Sequence, residues 1–307
     1  MENYIVAMLV FAGLYGLMAL GLNVIWGMAG MINLGLVGFV AFGAYISALL
    51  TLKAQFPIWA ALLAASVGSA GAGAVMALVT ARLRGDYLAI VTLGFSEVVR
   101  LVASNEIWLT NGTDGISNIP GPYRGQVSPA EFNLIFLALV ALTLAVVLWF
   151  LERLRHSPYG RVLRAIRDDD QVVAVAGKRV IGFKTEAFAV SAAVLGLAGG
   201  LYGHYNAYIA PDGFTPLVTV YIVLALTAGG TGNNWGAAVG ALLVVFFMES
   251  TRFLTARVPG LEAVQVAALR EFLIGASLIL VLRFFPNGLL PERIRVVEPP
   301  ANERQKA

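Results

Sequence analysis

The chain has no cysteine, which excludes disulfides, thiolate metal sites and cysteine nucleophiles. Charge is scarce as well: 13% of its 307 residues are Asp, Glu, Lys or Arg, against about 25% in soluble domains. Only two histidines occur, His156 and His204, with no HExxH pair and no cluster at metal-ligand spacing. A GxxxxGK[ST] phosphate loop is missing, so the chain has no such cradle for ATP. A GxSxG nucleophile elbow is missing too. A membrane enzyme is disfavoured because no convergent acid–base or metal set exists. The first residues, Met1-Glu2-Asn3, lack the basic start of a secretory signal, so the first apolar run is expected to be retained as a span.

What is abundant is apolar length. Hydrophobic residues make up 59% of the chain, and runs of about 20 of them recur along it. This predicts an all-α polytopic transmembrane helical bundle, with 1–307 as a single unit. A β-barrel would instead alternate apolar and polar residues over about ten positions. Spans are expected near 4–26, 34–52, 57–80, 87–104, 132–151, 185–208, 217–230, 235–254 and 270–285. The run at 217–230 is short for a crossing, which suggests a broken or re-entrant element, and the Gly-rich stretch 27–38 leaves room for a further half-helix. About eight to ten crossings are expected.

The net charge of +3 comes mostly from loops and reads as the positive-inside bias rather than as nucleic-acid binding. The loop 152–184 carries Arg153, Arg155, Arg161, Arg164, Arg167, Lys178, Arg179 and Lys184, which places it in the cytoplasm. Counting outward from it with nine crossings puts the N-terminus outside. Arg82 and Arg84 then fall inside, as does the C-terminal tail with Arg293, Arg295, Arg304 and Lys306.

Within 152–184, Ser157-Pro158 reads as an N-cap followed by proline at the first helical position. Asp168, Asp169 and Asp170 supply a second N-cap and an acidic first turn, and Gly177 ends that helix. The apolar residues Val172, Val173, Val175 and Ala176 suit either a partner's groove or the membrane surface. The defined start and stop favour docking on a partner.

Ionisable groups inside spans are costly, so each points to structure or pathway. Glu97 and Arg100 stand at i, i+3, and Glu249 and Arg252 repeat the spacing. Either pair can neutralise itself on one face or line a polar path. Asn23, Asn33 and Asn206 are further candidates, with interhelical hydrogen bonding as the structural alternative. Tyr202, Tyr205 and Tyr208 suit an interfacial aromatic belt. The pairs Gly196/Gly200, Gly199/Gly203 and Gly236/Gly240 predict close helix packing.

Several of these pieces belong to one pattern. The stretches Gly30-Met31-Ile32-Asn33-Leu34-Gly35, Gly85-Asp86-Tyr87-Leu88-Ala89-Ile90, Thr110-Asn111-Gly112-Thr113-Asp114-Gly115, Arg164-Ala165-Ile166-Arg167-Asp168-Asp169, Gly229-Gly230-Thr231-Gly232 and Phe285-Pro286-Asn287-Gly288 occur together. With them the chain resembles the permease subunits of branched-chain amino acid ABC importers, most closely the second of the two paired permeases. The resemblance implies a subunit of the bacterial inner membrane that works with a homologous permease, two cytoplasmic ATPases and an extracytoplasmic substrate-binding protein. It implies no cofactor on this chain, since ATP would be hydrolysed on the ATPases. It also implies that Arg164, Asp168, Asp169, Asp170 and Gly177 belong to the ATPase-coupling loop. Branched-chain amino acids are the implied substrate, with urea, short amides or other amino acids as the alternative within the class. An ion-coupled secondary transporter using Glu97 or Glu249 is the alternative outside it.

Overall fold

A computed structural model describes residues 2–81, 83, 85–255 and 263–292; the side chains of 2, 252–255 and 263 are not among those described. Expectations placed on Arg82 and Arg84, on the Arg252 side chain, and on Arg293, Arg295, Arg304 and Lys306 therefore lie outside the described residues.

The described chain is a helical bundle. The first helix, α1 (Glu2–Leu22), passes directly into a wider π-helical turn, Asn23–Met28. No half-helix follows. Residues 29–35 are irregular, and helix resumes only at α2 (Leu36–Leu52). Next come α3 (Ile58–Val79), α4 (Asp86–Asn105) and a single turn, α5 (Ile107–Thr110). After a loop, α6 (Pro129–His156) leads into two short helices, α7 (Pro158–Asp168) and α8 (Asp170–Val175). The remaining helices are α9 (Val180–Asn206), α10 (Pro216–Gly229), α11 (Asn234–Thr255) and α12 (Ala263–Phe284). Among the described residues, strands are confined to β1 (Ile116–Ser117) and β2 (Tyr208–Ile209), an antiparallel pair with Ile116 opposite Ile209.

Eight helical segments among the described residues are long and apolar enough to cross a membrane. A ninth, α2, is apolar but has 17 residues, about 26 Å at 1.5 Å per residue and short of the roughly 30 Å hydrocarbon core. The segment around 217–230 is longer than its apolar run suggests. A 3₁₀ turn at Pro211–Gly213 extends it to a 19-residue span, Pro211–Gly229.

Local chemistry sets the helix starts. Ser128 and Glu131 form a capping box, with Glu131 N–H donating to Ser128 Oγ (3.4 Å), Ser128 N–H donating to Glu131 Oε2 (2.8 Å), and Pro129 at the first position. In the bundle α9 is central and packs on α1, α2 and α3. Its glycines permit this. A Cβ on Gly199 would stand 1.9 Å from the Val40 carbonyl oxygen, and one on Gly43 would stand 2.3 Å from that of Gly196. At the crossing of α10 and α11, a Cβ on Gly240 would meet the Ala225 carbonyl at 1.9 Å. In lipid, association rests on such close packing rather than on a hydrophobic drive. Trp59, Leu63, Val67 and Val75 on α3 and Val98 and Leu101 on α4 face outward, as lipid or partner helices require.

The π-turn, the C-terminus of α6, α7, α8 and the N-terminus of α11 gather at one end of the bundle, here the loop face. Tyr4, the N-terminus of α6 and the β1–β2 pair mark the far face.

Because backbone, not a flexible side chain, opposes a Cβ at residue 199, Gly199→Ala should destabilise the purified chain by about 1–3 kcal/mol. Gly71, with nothing within 4 Å of its Cβ position, should tolerate alanine without loss. Thermal melting of the two variants in detergent checks the contrast.

Candidate functional site: the docking loop and the polar centre beneath it

Two short helices form the loop-face module. Ser157 caps α7 by accepting from Gly160 N–H (3.2 Å), with Pro158 at the first position. The α7 face carrying Gly160, Leu163 and Ile166 is buried, while Arg161 and Ala165 are exposed. Tyr159 anchors the module to α9, donating to the Phe183 carbonyl (3.3 Å) with its ring 5.4 Å from that of Phe183. Burial raises the Tyr159 pKa above its ordinary value, so the hydroxyl stays a neutral donor.

Asp169 begins α8, accepting from Gln171 N–H (2.8 Å) and Val172 N–H (3.3 Å). Asp168 ends α7 with its side chain exposed, 3.7 Å from Arg167 Nε. Asp170 turns inward and pairs with Lys184 at 2.9 Å. Gly177 closes α8 at φ +78°. Its N–H donates to Ala174 O (3.0 Å) and that of Lys178 to Val173 O (3.3 Å), the paired bonds of a Schellman stop, which favours glycine at that position. The apolar side chains of α8 do not share one face. Val173 is buried, whereas Val172 (64% exposed) and Val175 (90% exposed) point away from the protein.

Beneath the module lies a connected polar centre. Fully buried Asn23 donates to Asn234 Oδ1 (2.9 Å) and accepts from Gly232 N–H (2.8 Å). Asn234 donates to Glu152 Oε2 (2.9 Å). Glu152 pairs with Arg155 (3.2 Å), and Arg155 donates to the Gly232 carbonyl (3.2 Å). Beside this chain of bonds, Arg167 of α7 donates to the Gly27 carbonyl (2.5 Å), inside the π-turn, and to Glu292 Oε2 (2.8 Å). Arg164 stands 3.8 Å from the same carboxylate. Thus α7 reaches both the break after α1 and the segment after α12. A solvent-open cavity of about 350 Å³ lies alongside, lined in part by Gly30, Leu83, Arg167 and Asp169.

The other polar candidates lie apart from this centre. Asn33 is buried on the irregular segment, where its Oδ1 accepts from Gly35 N–H (2.8 Å) and its Nδ2 has no partner among the described residues. Glu97 and Arg100 pair at 2.8 Å on α4. Glu249 accepts from the Tyr4 hydroxyl at the far face; the Arg252 side chain lies outside the described residues. Asn206 does not bridge helices but donates to the Tyr202 carbonyl of its own helix (3.0 Å). Two of the three tyrosines are not a lipid-facing belt. Tyr205 packs against Phe11 and Phe136 at 5.5 and 5.0 Å, and Tyr202 against Phe214 at 6.0 Å. Only Tyr208 is exposed.

Sequence reasoning overlooked Glu152, Asn234 and Glu292. Glu152 ends a 28-residue helix next to Arg153 and Arg155, so it merges with the loop charge. Asn234 follows a glycine run, where asparagine is ordinary turn chemistry. His204, weighed in the sequence only for metal-ligand spacing, lies fully buried inside the far face. There Nδ1 meets the Pro120 carbonyl and Nε2 lies 2.8 Å from Ser47 Oγ, so Nδ1 carries the hydrogen.

A family model described as branched-chain amino acid transport system / permease component matches residues 4–282. The chain belongs to this permease family. It is 33% identical over 301 residues to the high-affinity branched-chain amino acid transport system permease protein LivM of Salmonella typhimurium strain LT2, covering 91% of this chain and 68% of that protein. It is 30% identical over 339 residues to a probable LivM of Methanocaldococcus jannaschii, covering 96% and 95%. Similarity extends to LivH of Salmonella typhimurium, at 27% over 312 residues, 90% of this chain and 91% of that protein. No solved structure matches. The permease is thus a multi-pass protein of the inner membrane, more similar to these LivM proteins than to LivH.

In this permease the Arg167–Glu292 contact should be measurable as a coupling. Arg167→Ala and Glu292→Ala, alone and combined, should show an interaction energy of about 1 kcal/mol or more in a double-mutant cycle of thermal stability. Strict additivity would mean that the pair is not formed.

Proposed function

We propose that the permease is the membrane-spanning part of an ATP-driven importer of branched-chain amino acids, acting with a second homologous permease, two ATPase subunits and an extracytoplasmic binding protein. It hydrolyses nothing itself, and ATP is bound and cleaved on the partner ATPases. The Lys and Arg of the 152–184 loop support a cytoplasmic loop face. The LivM relatives, described as branched-chain amino acid transport permeases, support the substrate class.

One observation carries the assignment of the docking module. An exposed apolar rim, Val172 and Val175, stands on a small helix whose neighbour α7 is tied through Arg167 to the π-turn of α1 and to Glu292. A partner gripping the rim therefore pulls on the backbone break that separates α1 from α2. Rigid short helices with fixed ends transmit such a pull, whereas a loose loop would absorb it. Asp168, exposed beside the rim, offers a charge for the partner to read. On this reading Arg167 is a positioning residue that links partner motion to the gate formed by residues 23–35.

Val175→Asp should lower the ATPase activity that co-purifies with the tagged permease from gentle detergent extracts at least about tenfold, since charge at an apolar contact costs several kcal/mol. The amount of inserted permease should not change. Gly177→Val should do the same by straining the left-handed stop of α8. ATPase co-purifying at the wild-type level with both variants would remove the module from the interface.

A further inference from the structure

Two cavities meet at the far face. The outer one, about 260 Å³, is lined by Thr113, Tyr208, Asp212 and their neighbours. The inner one, about 50 Å³, lies between α1, α2 and α10 against Leu14, Val37, Val40, Phe214 and Val218. Tyr202 and Gly213 line both. The Tyr202 hydroxyl lies 3.9 Å from where a Cβ on Gly213 would stand, so phenol and glycine frame the opening between the two.

Their chemistries differ. Asp212 is exposed on the 3₁₀ turn at the mouth of the outer cavity. Helix α4 packs against that turn, and its Arg100 is within electrostatic reach of Asp212 but already paired with Glu97. Asp212 is the one charged residue among the described residues lining the outer cavity, which favours a cation. The inner cavity is apolar apart from the phenols of Tyr15 and Tyr202. Its volume fits on the order of three to four water-sized groups, the carbons of a valine, leucine or isoleucine side chain, and excludes an aromatic ring.

We propose that the joined cavities are the permease's own site for a zwitterionic α-amino acid with a short branched side chain. Asp212 receives the α-ammonium group in the outer cavity, and the aliphatic side chain passes Tyr202 into the inner cavity against Phe214 and Val218. This rests on the reading of the chain as an amino-acid importer subunit, and it adds that part of the selectivity resides in this chain and not only in the binding protein.

The test uses the complete importer purified from native membranes and placed in proteoliposomes. ATP-driven uptake of leucine, alanine and phenylalanine is measured, together with binding of radiolabelled leucine in the absence of the binding protein. Val218→Leu, which fills the inner cavity, should lower the leucine-to-alanine uptake ratio about tenfold, and Val218→Ala should raise the phenylalanine-to-leucine ratio by a similar factor. Ratios taken within one variant are insensitive to how much of it folds. Asp212→Asn should weaken leucine binding at least about tenfold, and Asp212→Glu should restore most of it. If wild-type importer takes up leucine while the Val218 variants keep its ratios and Asp212→Asn keeps its binding, the site is wrong and the importer reading stands. If the wild-type complex takes up no amino acid, both fall.

Discussion

Within the bundle, the backbone between Asn23 and Gly35 leaves the ordinary helical ladder. Irregular backbone at membrane depth survives only where protein or a water-filled cavity satisfies its polar groups. Several exits from the ladder have a named partner here. Arg167 serves the Gly27 carbonyl, Thr92 accepts from Leu34 N–H (3.1 Å), and Asn33 accepts from Gly35 N–H. Backbone bonds from Gly30 to Trp26 and from Met31 to Ile25 close the π-turn itself. These partners come from α4, from α7 and from the break, while Asn23 ties the turn to Asn234 of α11. The position of α7 is therefore one solution to a backbone hydrogen-bonding problem inside the membrane.

That solution gives the break its mechanical consequence. Side chains from α4, α7 and α11 converge on one short stretch, so a shift of α7 would act on it directly. Arg167 suits this position because a guanidinium offers several donors in a fixed plane. It can hold a carbonyl and a carboxylate at once. At the far end of the bundle the arrangement differs. His204, Arg124 and Pro120 bind the far-face loop between α5 and α6 to α9, and the paired cavities open beside that frame.

Some of this was readable in the sequence. The apolar runs identify the bundle because lipid imposes length and composition directly, and local capping chemistry at Ser157, Asp169 and Gly177 acts within a few residues. The central polar network was not readable. Asn23 and Asn234 are 211 positions apart, and Arg167 and Glu292 are 125 apart, so no spacing rule connects them. Tyr202 and Tyr205 misled for a related reason: an aromatic near a span end satisfies the belt pattern whether it faces lipid or, as here, neighbouring aromatic side chains. Asn206 resembles an interhelical glue residue by type, yet its neighbour in space is its own helix. The short apolar run near 217–230 looked incomplete because the 3₁₀ turn that lengthens it contains Pro211, Asp212 and Gly213, a composition that sequence reading assigns to loops.

The central claim is that Arg167 transmits partner motion to the break after α1. The most direct measurement is the number of leucine molecules imported per ATP hydrolysed by the complete importer carrying Arg167→Gln, which keeps a hydrogen-bond donor but loses the charge and one half of the bridge. A link through Arg167 predicts continued ATP hydrolysis with import per ATP reduced about tenfold or more. An unchanged ratio, with hydrolysis and import both at wild-type rates, would contradict it.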